Sequence, residues 1–300
     1  MRTRLFSLFP EFTITSANFR RFGLAVEPLL GYDKPRMYRR CIHLLAFVAT
    51  IACGFLASPR VAADTLTLQP IADTTLFSIA PDNNLGGAGF FNAGTAGNGY
   101  LNRALLRFDL TIIPSGSQII GVSLSMDVVR EPASDRQNSL FSLRRVFQPW
   151  GEGIQVPAEP TSPGLGALAV PGEATWNQRF AGGTPWAMPG GQAGTDFSTV
   201  LSSTAFVYGI GDPVQFESTP ELIADLQLWV NNPAANFGWL MMTESEDVRR
   251  TARSFASRES GFGPTLTVEF TPVPEPSSLA LLGLSAGVLA WVLRRRPCQG

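Results

Sequence analysis

The chain has 300 residues, a formal net charge of −1 and 45% hydrophobic residues, enough for one substantial domain between terminal segments. Its only histidine, His43, its only lysine, Lys34, and its three cysteines, Cys41, Cys53 and Cys298, all fall outside Asp64 to Thr271. Within those limits this excludes Ser-His-Asp and Cys-His nucleophiles, imidazole or thiolate zinc, a Schiff-base lysine, a lysine-bearing P-loop and any internal disulfide. The same stretch carries eleven Arg against twenty Asp plus Glu, a net charge of −9, which argues against nucleic acid as a partner.

Residues 1–36 are Phe-rich but aperiodic, and Met37 immediately precedes Tyr38-Arg39-Arg40. An apolar run from Leu44 to Leu56 follows, then Val61-Ala62-Ala63, so residues 37–63 have the three parts of a secretory signal peptide. Cleavage is expected between Ala63 and Asp64, after passage through the Sec translocon. Met37 then reads as the true start and 1–36 as a mis-extended N-terminus, with an unusually long n-region as the alternative.

The body, 64–271, reads as strands. Ile120, Val122, Leu124, Met126 and Val128 alternate with small or polar residues, placing one face in a core and one in water. Ala104, Leu106, Phe108 and Leu110 share one face of a second strand, with Arg103, Leu105, Arg107 and Asp109 opposite. Leu266, Val268 and Phe270 close the domain, and Thr65–Leu68, Leu140–Val146, Ala205–Tyr208 and Gly238–Met242 are further strand candidates. One helix is expected from Ser218-Thr219-Pro220-Glu221, with Leu222, Leu226 and Trp229 at helical spacing and Asn231-Asn232-Pro233 as its stop. Long Gly/Pro-rich stretches at 157–174 and 181–194 connect these elements. The fold class expected is all-β, a single sandwich of jelly-roll type with one short helix.

Several words recur in a recognisable order: Ala72-Asp73-Thr74-Thr75-Leu76, Asn84-Leu85-Gly86, Asn102 to Leu110, Ala174-Thr175-Trp176-Asn177, Leu228-Trp229-Val230-Asn231 and Phe255-Ala256-Ser257-Arg258-Glu259. This order resembles DNRLRE-type domains, exported β-sandwiches related to carbohydrate-binding modules. The resemblance spans nearly all of 64–271 and implies glycan binding; with the usual catalytic side chains absent, the domain is expected to bind polysaccharide or act structurally, without catalysis. A carbohydrate-active lyase or hydrolase using two carboxylates is the alternative.

The residues offer three candidate ligand sites. Arg103 and Arg107 project from one sheet face, where guanidinium groups either bind a uronate or sulfate or pair with Asp109 or Asp127. Trp176 and Trp186 sit in Gly/Pro-rich loops and either stack on sugar rings or pack beneath those loops; Trp229 and Trp239 read as core. Asp73, Asp82 and Asn84 are oxygen ligands for a structural calcium or plain turn residues, and no other cofactor is expected. Glu244, Glu246, Asp247, Arg249, Arg250 and Arg253 form a mixed cluster that reads as a solvated loop with internal salt bridges.

The chain closes on Val273-Pro274-Glu275-Pro276, an uncharged run from Leu279 to Leu293 and Arg294-Arg295-Arg296. The prolines predict an extended, accessible segment. A helix over 277–293 would span roughly 25 Å, enough to cross an inner membrane, with the three arginines as its cytoplasmic stop. Gly283-Leu284-Ser285-Ala286-Gly287 matches a nucleophile-elbow pattern, but an apolar helix provides neither its strand-to-helix turn nor a histidine partner. The order of motif, span and basic cluster over 272–300 resembles the PEP-CTERM sorting signal. That resemblance implies an exosortase as partner, transient membrane anchorage and delivery to the cell envelope or extracellular matrix of a Gram-negative bacterium.

Overall fold

The computed structural model describes residues 62–157 and 164–273, with the single helical positions 283, 287 and 288. Strands β1 (Asp64–Leu68), β2 (Pro70–Phe77), β3 (Asn83–Asn84), β4 (Phe90–Thr95) and β5 (Leu101–Phe108) come first. The 13-residue β6 (Gln118–Arg130) and β7 (Ser139–Arg145) follow. A loop-rich insertion then carries β8 (Ala167–Leu168), β9 (Gln178–Phe180) and β10 (Thr184–Pro185). After it come β11 (Ser203–Val207), β12 (Pro213–Phe216), helix α1 (Pro220–Asn231), β13 (Trp239–Thr243), β14 (Arg253–Ala256) and β15 (Thr265–Thr271). Among the described residues no helix is long and apolar enough to cross a membrane. The segment 1–36, the signal peptide up to Val61 and the membrane span expected at 277–293, apart from the three positions named, lie outside the described residues.

The main strands pair in the order β1-β15-β6-β14-β4-β5-β13-β7-β11, with β12 added to β6 and β2 to β5. All these pairings are antiparallel, and the curled sheet closes over one core as an all-β sandwich. Val122, Leu124, Met126 and Val128 of β6 meet Ala104, Leu106 and Phe108 of β5 and Leu266, Val268 and Phe270 of β15 in that core. Helix α1 joins it through Leu222, Leu226, Trp229 and Val230. Thr219 caps the helix, its side chain accepting from the Leu222 N–H at 3.0 Å, and Pro220 occupies a first-turn position where no N–H is missed.

Two expectations are corrected by the packing. Ile120 does not share the buried face of β6: it is 42% exposed, whereas Ile119 is buried. The pairing with β15 shifts register between Glu269 and Phe270, so a bulge inserts one residue and reverses the alternation below Gly121. The face of β5 carrying Arg103, Leu105 and Arg107 is not wet either. Ala72, Leu76, Leu105 and Leu240 form a second cluster there with Val146, Trp150, Ala174, Trp186 and Phe197, so the insertion lies over the sheet as an outer layer.

Phe255 is fully buried, stacked on Phe91 with centroids 5.5 Å apart and edge-on to Phe141 at 6.0 Å. Truncation to alanine opens a cavity no neighbour can fill. Phe255→Ala is expected to lower the unfolding free energy by about 3–5 kcal/mol in urea denaturation. Phe262→Ala, at a ring 78% exposed, is the control and stays within about 0.5 kcal/mol of wild type.

Candidate functional site

Beneath the outer layer, Arg103 makes a bidentate pair with Glu246 at 2.7 and 2.8 Å and donates to the carbonyl oxygens of Gly190 and Gly191 at 2.8 and 3.3 Å. Its guanidinium also faces Trp176 and Phe197, 5.4 and 5.9 Å from the ring centroids. Gly190 has φ +83°, and a Cβ there would sit 2.5 Å from the Trp176 ring, so only glycine lets the loop close on that indole. Arg107 lies over Trp150 at 5.4 Å, and the Trp150 Nε1–H donates to Phe237 O at 2.8 Å. Trp186 is buried, its Nε1–H donating to Thr175 O at 2.9 Å, and Trp176 is half-buried.

Arg103 is thus paired neither with Asp109 nor with Asp127. Asp109 accepts from the backbone N–H and hydroxyl of Thr111, and the partner of Arg103 comes from the mixed cluster after β13. Three more members of that cluster also reach outward. Glu244 pairs with Arg144, Arg250 with Asp135, and Arg253 donates to five backbone carbonyls outside its own residue, at Tyr208, Arg250, Thr251, Ala252 and Gln137. The loop is pinned to its neighbours.

Asp73 is 1% exposed, and its Oδ2 accepts from the Arg258 N–H at 2.9 Å. Glu152 takes the Arg258 guanidinium at 2.7 and 2.8 Å and the Asp73 N–H at 2.9 Å. Desolvation by burial is the largest influence on both carboxyls: it raises Asp73 to about 7 and pushes Glu152 up against the pull of Arg258. Asn84 is buried. Its Nδ2 donates to Thr74 Oγ1 and to the carbonyls of Glu152 and Ala174, and its Oδ1 accepts from the N–H groups of Gly86 and Gln155. Asp82 is exposed and accepts from Asn177 Nδ2 at 2.9 Å. Each residue named for calcium thus has a protein partner, and no group of three or more acidic, His or Cys residues with metal-holding geometry occurs among the described residues. Asp73 opens into none of the three grooves described below.

Three open grooves lie among the described residues. One of about 330 Å³ is lined by Gln69, Ser125, Asp127, Val214, Phe262 and Thr265, and one of about 180 Å³ includes Arg107 and Asp109. Each of these holds one carboxylate. The third, about 290 Å³, holds none among the described residues and is lined mainly by Asn92, Asn98, Tyr100, Asn102, Arg130 and Ser254. Asn92 is fixed between Ser254 Oγ, 2.6 Å from its Oδ1, and Gly164 O, 3.2 Å from its Nδ2. Asn102 Nδ2 donates to Gly94 O at 3.2 Å and Asn98 Oδ1 accepts from the Tyr100 N–H at 3.3 Å. Asn102 Oδ1 and Asn98 Nδ2 have no protein partner among the described residues. Tyr100 is 45% exposed, and Arg130 stands 4.0 Å above the Phe90 ring with no carboxylate partner among the described residues. The groove joins the β4–β5 turn, the end of β6 and β14, distant segments that sequence spacing does not connect. The one local signal was Asn98-Gly99-Tyr100, which reads as an ordinary turn.

Ala63 and Asp64 are exposed at the start of β1, and Val273 is exposed just past β15. Pro274, Glu275, Pro276 and Arg294 to Arg296 lie outside the described residues.

The buried Asp73 generates a pH test. Its folded value lies above 3.8, so its contribution is full below about pH 4 and is lost as pH rises through about 7. A shift of that size corresponds to about 4 kcal/mol. Stability measured by denaturant between pH 4 and 8 is expected to fall with rising pH, and Asp73→Asn, which keeps an acceptor for the Arg258 N–H, is expected to flatten the fall.

No curated protein matches the chain. Residues 272–296 match the PEP-CTERM protein-sorting motif, which marks an exported chain that exosortase sorts.

Proposed function

We propose that residues 64–271 form a DNRLRE-type, carbohydrate-binding-module-like domain, delivered by its sorting signal to the cell envelope or extracellular matrix of a Gram-negative bacterium. There it binds an acidic polysaccharide, without catalysis, in the groove of Asn92, Asn98, Tyr100, Asn102, Arg130 and Ser254. The observation that carries this reading is a groove with no carboxylate among the described residues that line it, on a domain of net charge −9, with one guanidinium at its wall that has no acidic partner among the described residues.

The chemistry supports it. Free amide N–H and C=O groups match vicinal hydroxyls in donor and acceptor pairs. An exposed phenol offers a flat face to the C–H side of a pyranose ring. Arg130 offers a planar fork to a uronate or sulfate, and Phe90 beneath holds that fork in place. Arg249 adds positive potential nearby, since a Cβ on Gly99 would lie 3.3 Å from its Nε. Arg103, by contrast, is occupied by Glu246 and two carbonyls, and Arg107, Trp176 and Trp186 pack under the outer layer; their role in this reading is to hold the scaffold.

Titration calorimetry with polyuronate and neutral glucan oligosaccharides tests the proposal. Arg130→Ala is expected to weaken polyuronate binding about tenfold or more, the loss of one charge-assisted hydrogen bond. The same change should leave the thermal transition in place. Equal heats with acidic and neutral oligosaccharides, or no heat with either, would defeat the acidic-glycan reading.

A further inference from the structure

The two ends of the domain meet at one end of one sheet. β1 and β15 are antiparallel with Asp64 opposite Phe270, so the chain arriving at Asp64 and the chain leaving at Thr271 point the same way. Thr271 in turn pairs with Gln118, the first residue of β6. The exit is held: a Cβ on Gly116 would lie 3.1 Å from Val273 Cγ2, which puts Val273 against the Pro114–Ser117 turn. Gln227 of α1 fixes that turn, accepting from the Ile119 N–H at 3.0 Å and donating to Ser117 O at 2.9 Å. Pro274 lies three residues beyond β15, so the sorting motif begins within about 10 Å of the sheet.

The other end of β6 is Arg130, which pairs with Ser254, and both line the amide-rich groove. Thirteen residues of strand separate the two ends by about 40 Å.

We infer that the Asp64, Ser117 and Thr271 end of the sandwich faces the membrane, that the expected cleavages after Ala63 and at the sorting motif are both made on this face, and that β6 holds the groove at the outer end. The inference rests on the sorting-signal reading but not on what the groove binds. β15 is tied to the core by β6 and Val273 lies against the Pro114–Ser117 turn, so the exit is fixed to the folded domain as far as Val273. A short exit of this kind would set the side of the domain that exosortase meets, and leave the groove clear of lipid while the tail is uncut.

The test uses the chain with its C-terminal tail, in a background with Cys41, Cys53 and Cys298 changed to serine, in vesicles containing head-group nitroxide lipid. A fluorophore is placed at Ser115→Cys, beside the exit, or at Asn98→Cys, on the groove. The expected result is quenching at position 115 and loss of quenching at position 98. Equal quenching at both, or stronger quenching at 98, overturns the orientation. Failure of the protein to float with the vesicles overturns the tail reading, and the orientation with it. Circular dichroism of both variants confirms that the label reports on the folded sandwich.

Discussion

The outer face of β5 is covered, and the rest of the architecture follows from the need to satisfy what that face carries. Arg103 and Arg107 stand on either side of buried Leu105, so any layer over the strand must supply acceptors and aromatic surface as well as apolar packing. The insertion after β7 supplies both, through the carbonyls of Gly190 and Gly191 and through Trp150, Trp176 and Phe197. Glu246 closes the arrangement from the opposite direction, on a loop that would otherwise be solvent-held. A sandwich whose second sheet is buried on both faces needs little regular structure above it, because one guanidinium offers five donors to irregular backbone.

The same device replaces disulfides. An exported domain without cysteine must order about half of its described length as loop, and irregular backbone brings carbonyls that sheets cannot absorb. Arg253 shows how this is met. It is 2% exposed and donates to the carbonyls of Tyr208, Thr251, Ala252 and Gln137, joining three loops at one point. Desolvation lowers its pKa to about 10, which leaves it charged at neutral pH, where the hydrogen bonds need it. Arg258 does the same for Glu152 and the region around Asp73. Lysine, with one point charge and three donors, could not span such sets of acceptors, which accounts physically for a body rich in arginine and free of lysine.

The elements legible in the sequence are those whose cause is local. β6 announces itself by period two, and α1 by Thr219, Pro220 and the Leu222-Leu226-Trp229 stripe. Ile120 misleads because its exposure is set by a bulge against β15, about 150 residues away in the chain. Arg103 and Arg107 mislead because alternation reports only that two faces differ, and what covers the second face comes from residues 146–197. The groove is harder still. Asn92, Tyr100, Arg130 and Ser254 belong to four segments, each polar residue is unremarkable alone, and only the fold brings them together without a carboxylate.

That missing carboxylate shapes how an acidic glycan would be held. The domain repels a polyanion as a whole, with net charge −9, and would attract it where Arg130 stands free of acids among the described residues. At physiological salt the screening length is about 8 Å, so distant repulsion fades while a contact inside the groove persists. A single site of this kind binds weakly, since one charge-assisted hydrogen bond and a few amide contacts must offset the ordering of a flexible polymer. Weakness suits a matrix. A polysaccharide repeats its charge many times, and proteins anchored on one surface present many copies of the groove facing the same way. Multivalent engagement then multiplies a modest affinity without any new contact, provided the groove faces away from the anchoring surface. Orientation and weak charge recognition are therefore coupled demands, and β6, with the exit at one end and Arg130 at the other, meets both.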